Sequence, residues 1–549
     1  ATYTANSFTL SGTDPNFITN NLNVTFADGA TGQIVLADAS DLTIDTDDGE
    51  STSGGGNISI APQILGTDGG DGDTTNTSVT LDAGTGTITL SEEIKTDIGA
   101  VALTGATVTL TDHITTDGAN FILTGAAVLE EAVTVTTANG SVDFTSTIDS
   151  ADSETNAFTI SSGTGDVDID GAIGGTDAIS TLKINDTGGD GDIDLEGISS
   201  AATTTIGNAD TAVLTFTGST YTTTGDTEYE AASILMSAAD PTFISDGNAI
   251  SFLVGDVELA NTSDLTVRSD GAGDIAFAGS ILGSTSGISQ DVSIDAGSGD
   301  LTVFAIGSAT KDINDIILEA ATVTLKGDIL TAAHGTGDDE DVGSFTLAST
   351  SALELFGADR TIDTDNGDAT GGPVTFGGTV ESDDSNRALT ISSGEGKVTF
   401  TGIIGGTDGD HLGGLVINST EGTGVIEIAQ IGDASALGGV IGTTTIGNDN
   451  TSQINFDGTI YKIDGTTTIT AASGTSDGSI DLTAGAATTF TTFGDAITFA
   501  TGVIDIDNTS DLTINSAGGA ISVQGIRGTS TESVTMNANV AGGPETETL

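Results

Sequence analysis

The sequence predicts an all-β fold wound as a parallel β-solenoid, a β-helical rod with about 21 residues per coil. Two observations carry that prediction: short apolar-x-apolar triplets that fill the chain between polar turn residues, and the near-constant spacing at which they recur. The triplets include Val79-Thr80-Leu81, Ile88-Thr89-Leu90, Val101-Ala102-Leu103, Val108-Thr109-Leu110, Phe121-Ile122-Leu123, Val133-Thr134-Val135 and Val142-Asp143-Phe144. Alternation with period two places the apolar pair on one face of an extended segment, and the β-branched residues favour that conformation. Gly, Asp, Asn, Ser and Thr lie between the triplets and turn the chain tightly, and helix-length amphipathic segments are missing.

Val79, Val101, Phe121 and Val142 follow one another at 22, 20 and 21 residues, and Ile88 to Val108 keeps a step of 20. Three residues bury no core alone, but the same pair stacked coil upon coil makes continuous interior columns. At 21 residues per coil, 549 residues give about 26 coils, with neighbouring strands about 4.8 Å apart.

A longer repeat lies over the coil. Tyr3, Asp14-Pro15 and Phe17 return as Tyr229, Asp240-Pro241 and Phe243 at an offset of 226. Ala157-Phe158-Thr159-Ile160-Ser161-Ser162-Gly163 returns as Ala388-Leu389-Thr390-Ile391-Ser392-Ser393-Gly394 at 231. Thr205-Ile206-Gly207-Asn208, Phe216 and Tyr221 return as Thr445-Ile446-Gly447-Asn448, Phe456 and Tyr461 at 240. The expected division is a first module over 1–226, a second over 227–466 and a partial third over 467–549 that continues the same rod. A third unit cut short is expected of an array or polymer, and uncapped end strands favour stacking of the chain on itself, head-to-tail or laterally.

Composition narrows the chemistry. Eighty Asp and Glu against ten Lys and Arg give a net charge of −70, which disfavours nucleic acid and anionic membrane surfaces. No apolar run approaches a membrane span, so no membrane insertion is expected. Without cysteine there is no disulfide, thiolate metal site or thiol nucleophile. Only 16% of residues are charged and 36% are hydrophobic, which fits a folded chain and not a disordered polyanion.

His113, His334 and His411 do not recur between modules, and no nucleophile elbow or metal-type histidine pair accompanies them. A non-enzymatic chain is expected. Asp/Gly clusters are the strongest chemical signal, and calcium, which takes six to eight hard oxygens, is their expected ion. The candidate ligands are Asp45 and Asp47, Asp71 and Asp73, Asp190 and Asp192, and Asp363 and Asp365. Neither the EF-hand nor the nonapeptide spacing fits them, so the expectation is compositional; a solvated acidic turn is the plainer reading of any one cluster. Spread over the coils, −70 is nearly three negative charges per step, within the Debye length of about 8 Å. Divalent cations or salt are therefore expected to stabilise the rod. Asn208 and Asn448 are expected to form hydrogen-bonded corners along the axis, and Tyr221 and Tyr461 to pack at corners.

The run Ile173-Gly174-Gly175-Thr176, followed by Leu182-Lys183-Ile184, Thr204-Thr205-Ile206 and Tyr221-Thr222-Thr223-Thr224-Gly225, resembles large bacterial secreted β-strand-repeat exoproteins of the filamentous-haemagglutinin and two-partner-secretion type. The resemblance implies a β-helical shaft of an adhesin or surface filament. The expectation is an extracellular, cell-surface structural protein with an adhesion role, meeting cell-surface glycans or neighbouring cells. Two alternatives stay open: a polysaccharide-active β-helix enzyme and a trimeric phage-type fibre.

Overall fold

The computed structural model describes residues 1–27, 32–37, 40–47, 54–67, 77–260, 263–284, 290–331, 342–367, 370–406, 410–434, 439–473, 479–506, 510–528 and 531–539. Among them there is no helix, and the strands pair in parallel as a β-solenoid of about 20 turns, about 24 residues apart. The chain forms two compact units, Ala1–Glu258 and Leu259–Leu549.

In the first unit each turn lays one strand on each of three ladders. One runs through Val24–Ala27, Ile58–Ile60 and Thr87–Leu90, a second through Ser7–Leu10, Gln33–Leu36 and Gln63–Leu65, a third through Leu42–Asp45, Thr77–Asp82 and the start of Ile98–Leu110. Register follows the alternation in the sequence. Val79, Val101, Phe121, Val142, Val167, Ile193, Leu214 and Ile234 pair in succession and form one interior column, none more than 1% exposed. Burying each such side chain contributes on the order of 1.5–3 kcal/mol against the entropy of ordering its turn.

The coil is longer than the 21 residues expected. That figure comes from Val79 to Val142, one of the tight stretches, where paired residues are 22, 20 and 21 apart. Elsewhere the corners take up extra residues while the strands stay short: Leu42 pairs with Val79 and Val323 with Leu353. About 26 coils therefore become about 20 turns.

The second unit repeats the three-ladder plan, with Leu265–Ser269, Val292–Asp295, Ile316–Glu319 and Phe345–Leu347 on one side. Its interior stacks aromatics, Phe376 lying flat on Phe400 with centroids 4.5 Å apart. Corner devices recur between units. The Tyr221 hydroxyl accepts the Gly218 N–H at 3.0 Å and donates to the Leu195 carbonyl at 2.8 Å; Tyr461 does the same with Gly458 at 2.8 Å and Ile428 at 3.0 Å. Gly218 is required there because a Cβ would overlap the Glu196 carbonyl. Asn208 Nδ2 donates to the carbonyls of Asn185 and Gly189, and Asn448 Nδ2 to those of Asn418, Glu421 and Gly422, so each asparagine ties its corner to the preceding turn.

Candidate functional site

The aspartates expected to hold calcium fall into three kinds. Asp45-Thr46-Asp47 and Asp363-Thr364-Asp365 build the same turn in different units. The middle threonine points inward and its hydroxyl donates to a glycine carbonyl, Gly56 at 2.5 Å and Gly372 at 2.7 Å. The first aspartate accepts the N–H of the second through Oδ1, at 3.0 Å for Asp45 and 3.1 Å for Asp363. These are carboxylates closing their own turns.

Asp45 pairs in register with Asp82, whose carboxyl is pushed above its ordinary range by burial, against the opposing Gly84 N–H bond, and further by Asp47 and Asp45. Asp365 is only 3% exposed. Its carboxyl is pushed up to about 6, first by burial and then by the charge and shared hydrogen bond of Asp363 and by Glu421, with the Gly367 N–H acting in the opposite sense. Asp190 and Asp192 are exposed, and the Asp192 N–H donates to Asp166 Oδ1 at 3.1 Å. Asp71 and Asp73 lie outside the described residues, as does His334. Among the described residues no group of three or more His, Cys, Asp or Glu side chains is placed to hold a metal ion.

Asp143, Asp168 and Asp194 stack in register on an outer face. Burial pushes the carboxyls of Asp143 and Asp168 up, and Asp170 adds to both. His113 is exposed at a corner, where its Nδ1 accepts the Thr134 N–H at 3.2 Å.

A third role for acidic residues escaped the sequence reasoning. Asp or Asn placed immediately before the first inward residue of a strand accepts, through Oδ1, the N–H at the same position of the next turn. Asp264 takes the Asp291 N–H at 2.9 Å, Asp291 takes Asp315 at 3.0 Å, and Asp315 takes Ser344 at 2.9 Å. The same bond joins Asp14 to Asp41 and Asp41 to Ser78, Asn23 to Asn57, Asp226 to Ala249, Asp328 to Thr361 and Asp511 to Ser533. It satisfies the amide at the mouth of these strands, where the backbone ladder has not begun. The signal was available as a recurring Asp/Asn-apolar-x-apolar motif: Asp41-Leu42-Thr43-Ile44, Asp264-Leu265-Thr266-Val267, Asp291-Val292-Ser293-Ile294 and Asp511-Leu512-Thr513-Ile514.

Comparison with family models, curated proteins and solved structures finds no match to this chain.

Proposed function

We propose that the chain is an extracellular structural protein, a β-solenoid shaft that spaces or displays an adhesive surface and associates with further copies of itself. The observation that supports this reading is the one-dimensional build of each unit. Interior columns such as Val79 to Ile234 run from turn to turn, and side chains including Asp264, Asn208 and Asn448 bond each corner to the turn beside it. The paired strands join each described turn to the turns beside it, the arrangement that suits a rod bearing load along its axis.

The chain's charge of −70 opposes both stacking and association, so cations, calcium among them, are proposed as diffuse counter-ions along the acidic faces. Negative-stain microscopy of the purified chain with calcium, and then with a chelator, tests the reading. Rods that join into filaments with calcium and separate on chelation are expected. Compact particles in both conditions would refute the shaft, and isolated rods in both would refute self-assembly.

A further inference from the structure

One corner of the second unit sets two exposed rings beside two cations, in a row that continues to Asp383, whose carboxylate accepts the Gly357 N–H at 3.0 Å and lies against Arg387. Val303, Leu325 and Leu355 are paired in register, so the residues that follow them, Phe304, Lys326 and Phe356, form a row along the axis. The Lys326 N–H donates to Val303 O at 2.9 Å and the Phe356 N–H to Leu325 O at 3.0 Å, fixing the corner. Both rings face solvent, Phe304 45% and Phe356 43% exposed. Lys326 Nζ lies 5.5 Å from the centroid of the Phe356 ring. The Arg360 guanidinium clasps the same corner, with Nε on Leu325 O at 3.2 Å, Nη1 on Asp359 O at 3.1 Å and Nη2 on Phe356 O.

The cations are unusual in their partners. Lys95, Lys183, Arg268, Arg387, Lys397 and Arg527 each lie against a carboxylate. Among the described residues Lys326 and Arg360 do not; their partners are a ring and backbone carbonyls. In a chain with eighty acidic residues and ten basic ones, two cations without a carboxylate beside two exposed rings make a local exception.

The fold does not demand these residues. Ala106-Thr107-Val108-Thr109-Leu110 returns unchanged as Ala321-Thr322-Val323-Thr324-Leu325. In the first unit Leu90, Leu110 and Leu129 stack as Val303, Leu325 and Leu355 do, and Thr111 and Glu130 make the corresponding backbone bonds at 3.1 and 2.9 Å. The corner residues there are Ser91, Thr111 and Glu130. The chain thus builds this corner twice, once with ordinary polar residues and once with Phe, Lys and Phe.

We propose that Phe304, Lys326, Phe356 and Arg360 form a binding site for a carboxylate-bearing sugar of a glycan. A phenyl face, negative in its quadrupole, receives the C–H-rich face of a pyranose, while Lys326 and the guanidinium N–H groups left free by the carbonyl bonds receive the carboxylate. The two rings are two turns apart, about 10 Å along the axis, a span of the order of a disaccharide. That row is far smaller than the roughly 1,000 Å² that a specific contact between two proteins requires. A second copy would also bring its own charge of −70, whereas a short glycan brings one carboxylate per acidic sugar. The inference rests on reading the chain as an adhesive shaft and gives that shaft a ligand class.

The test uses the full chain and a variant carrying Phe304→Ser, Lys326→Thr and Phe356→Glu, the residues of the first unit's corner, which that corner already tolerates. Saturation-transfer NMR is recorded with the disaccharide of glucuronic acid and N-acetylglucosamine, with the same sugar reduced at its carboxyl, and with a hexa-aspartate peptide. Saturable binding of the acidic disaccharide is expected, at least about tenfold weaker for the reduced sugar and for the variant, with the variant's circular dichroism and melting unchanged. Absence of saturable binding, or equal binding by the variant, would overturn the site; binding of the peptide in preference to the sugar would overturn the ligand class. Microscopy reads the shaft separately, so rods with a silent corner would leave the shaft standing and remove only the site.

Discussion

Asp365→Asn should stabilise its turn at neutral pH, although it removes a hydrogen-bonded carboxylate. Asp365 is 3% exposed and its carboxyl is pushed from 3.8 up to about 6, burial being the largest cause. Because the folded value is raised, the turn's stability is complete below about pH 3.8 and is lost as pH rises through about 6. The difference corresponds to about 3 kcal/mol, an upper figure because Asp363 shares the titration. In the variant the neutral side chain keeps an Oδ1 for the Gly367 N–H, bonded in the native turn at 2.9 Å, and gains an amide donor toward Asp363. Hydrogen exchange of the segment 360–376, corrected for intrinsic rate, reads local opening without requiring two-state unfolding of the whole chain. Protection in the native chain should fall between pH 4 and 7.5. The variant should be better protected by about 2–3 kcal/mol at pH 7.5 and equal to native below pH 4. Native protection that rises with pH, or a variant that loosens at pH 7.5, would refute the assignment of a buried, destabilising charge.

Two further outcomes follow from the corners. Asp315→Ala should deprotect the Ser344 amide by about 1–2 kcal/mol, since Asp315 Oδ1 accepts both its N–H at 2.9 Å and its hydroxyl at 2.6 Å; Asp315→Asn should restore most of the protection, and equal loss in both variants would show that charge and not the acceptor matters. Tyr461→Phe conserves volume but takes the acceptor from the Gly458 N–H, while the Ile428 carbonyl keeps the Asp457 N–H at 3.0 Å, a local cost of about 1–3 kcal/mol; a melting profile and exchange pattern identical to the native chain's would show that the hydroxyl is dispensable.

The ladder plan was legible because inward pairs such as Val79 and Leu81 must alternate with outward residues, and a parallel stack brings equivalent pairs together. The coil length was legible only locally, since a corner can lengthen without disturbing the strands on either side, as between Leu42 and Val79. The aspartates were harder. Asp45 and Asp264 look alike in composition, yet one closes its own turn and the other serves a residue 27 positions later. Position relative to the strand separates them, Asp264 standing before its apolar-x-apolar triplet and Asp45 after one. Phe304 and Phe356 were half-legible: alternation after Val303 and Leu355 turns them outward, but their alignment with Lys326 and Arg360 depends on turns of unequal length.

The bonds made by the acidic residues before strands also have a direction. From Asp14 onto Asp41, through Asp264, Asp291 and Asp315, to Asp511 onto Ser533, the acceptor belongs to the earlier turn and the donated amide to the later one. A folded turn therefore presents charged acceptors at the positions where the next strand must begin, and the next strand pairs in the register those acceptors mark. The same carboxylates that repel one another from turn to turn are thereby useful one at a time, because a charge-assisted bond to an amide is stronger than a neutral one. Replacing them by Asn should retain the register marks while lowering the repulsion, so the acidity of the chain exceeds what its fold needs. The excess acts on the outer faces of each unit: it leaves water and cations as their natural company, and at the Phe304–Phe356 corner it leaves Lys326 and Arg360 against a ring and backbone carbonyls, the cations the proposed anionic ligand would meet.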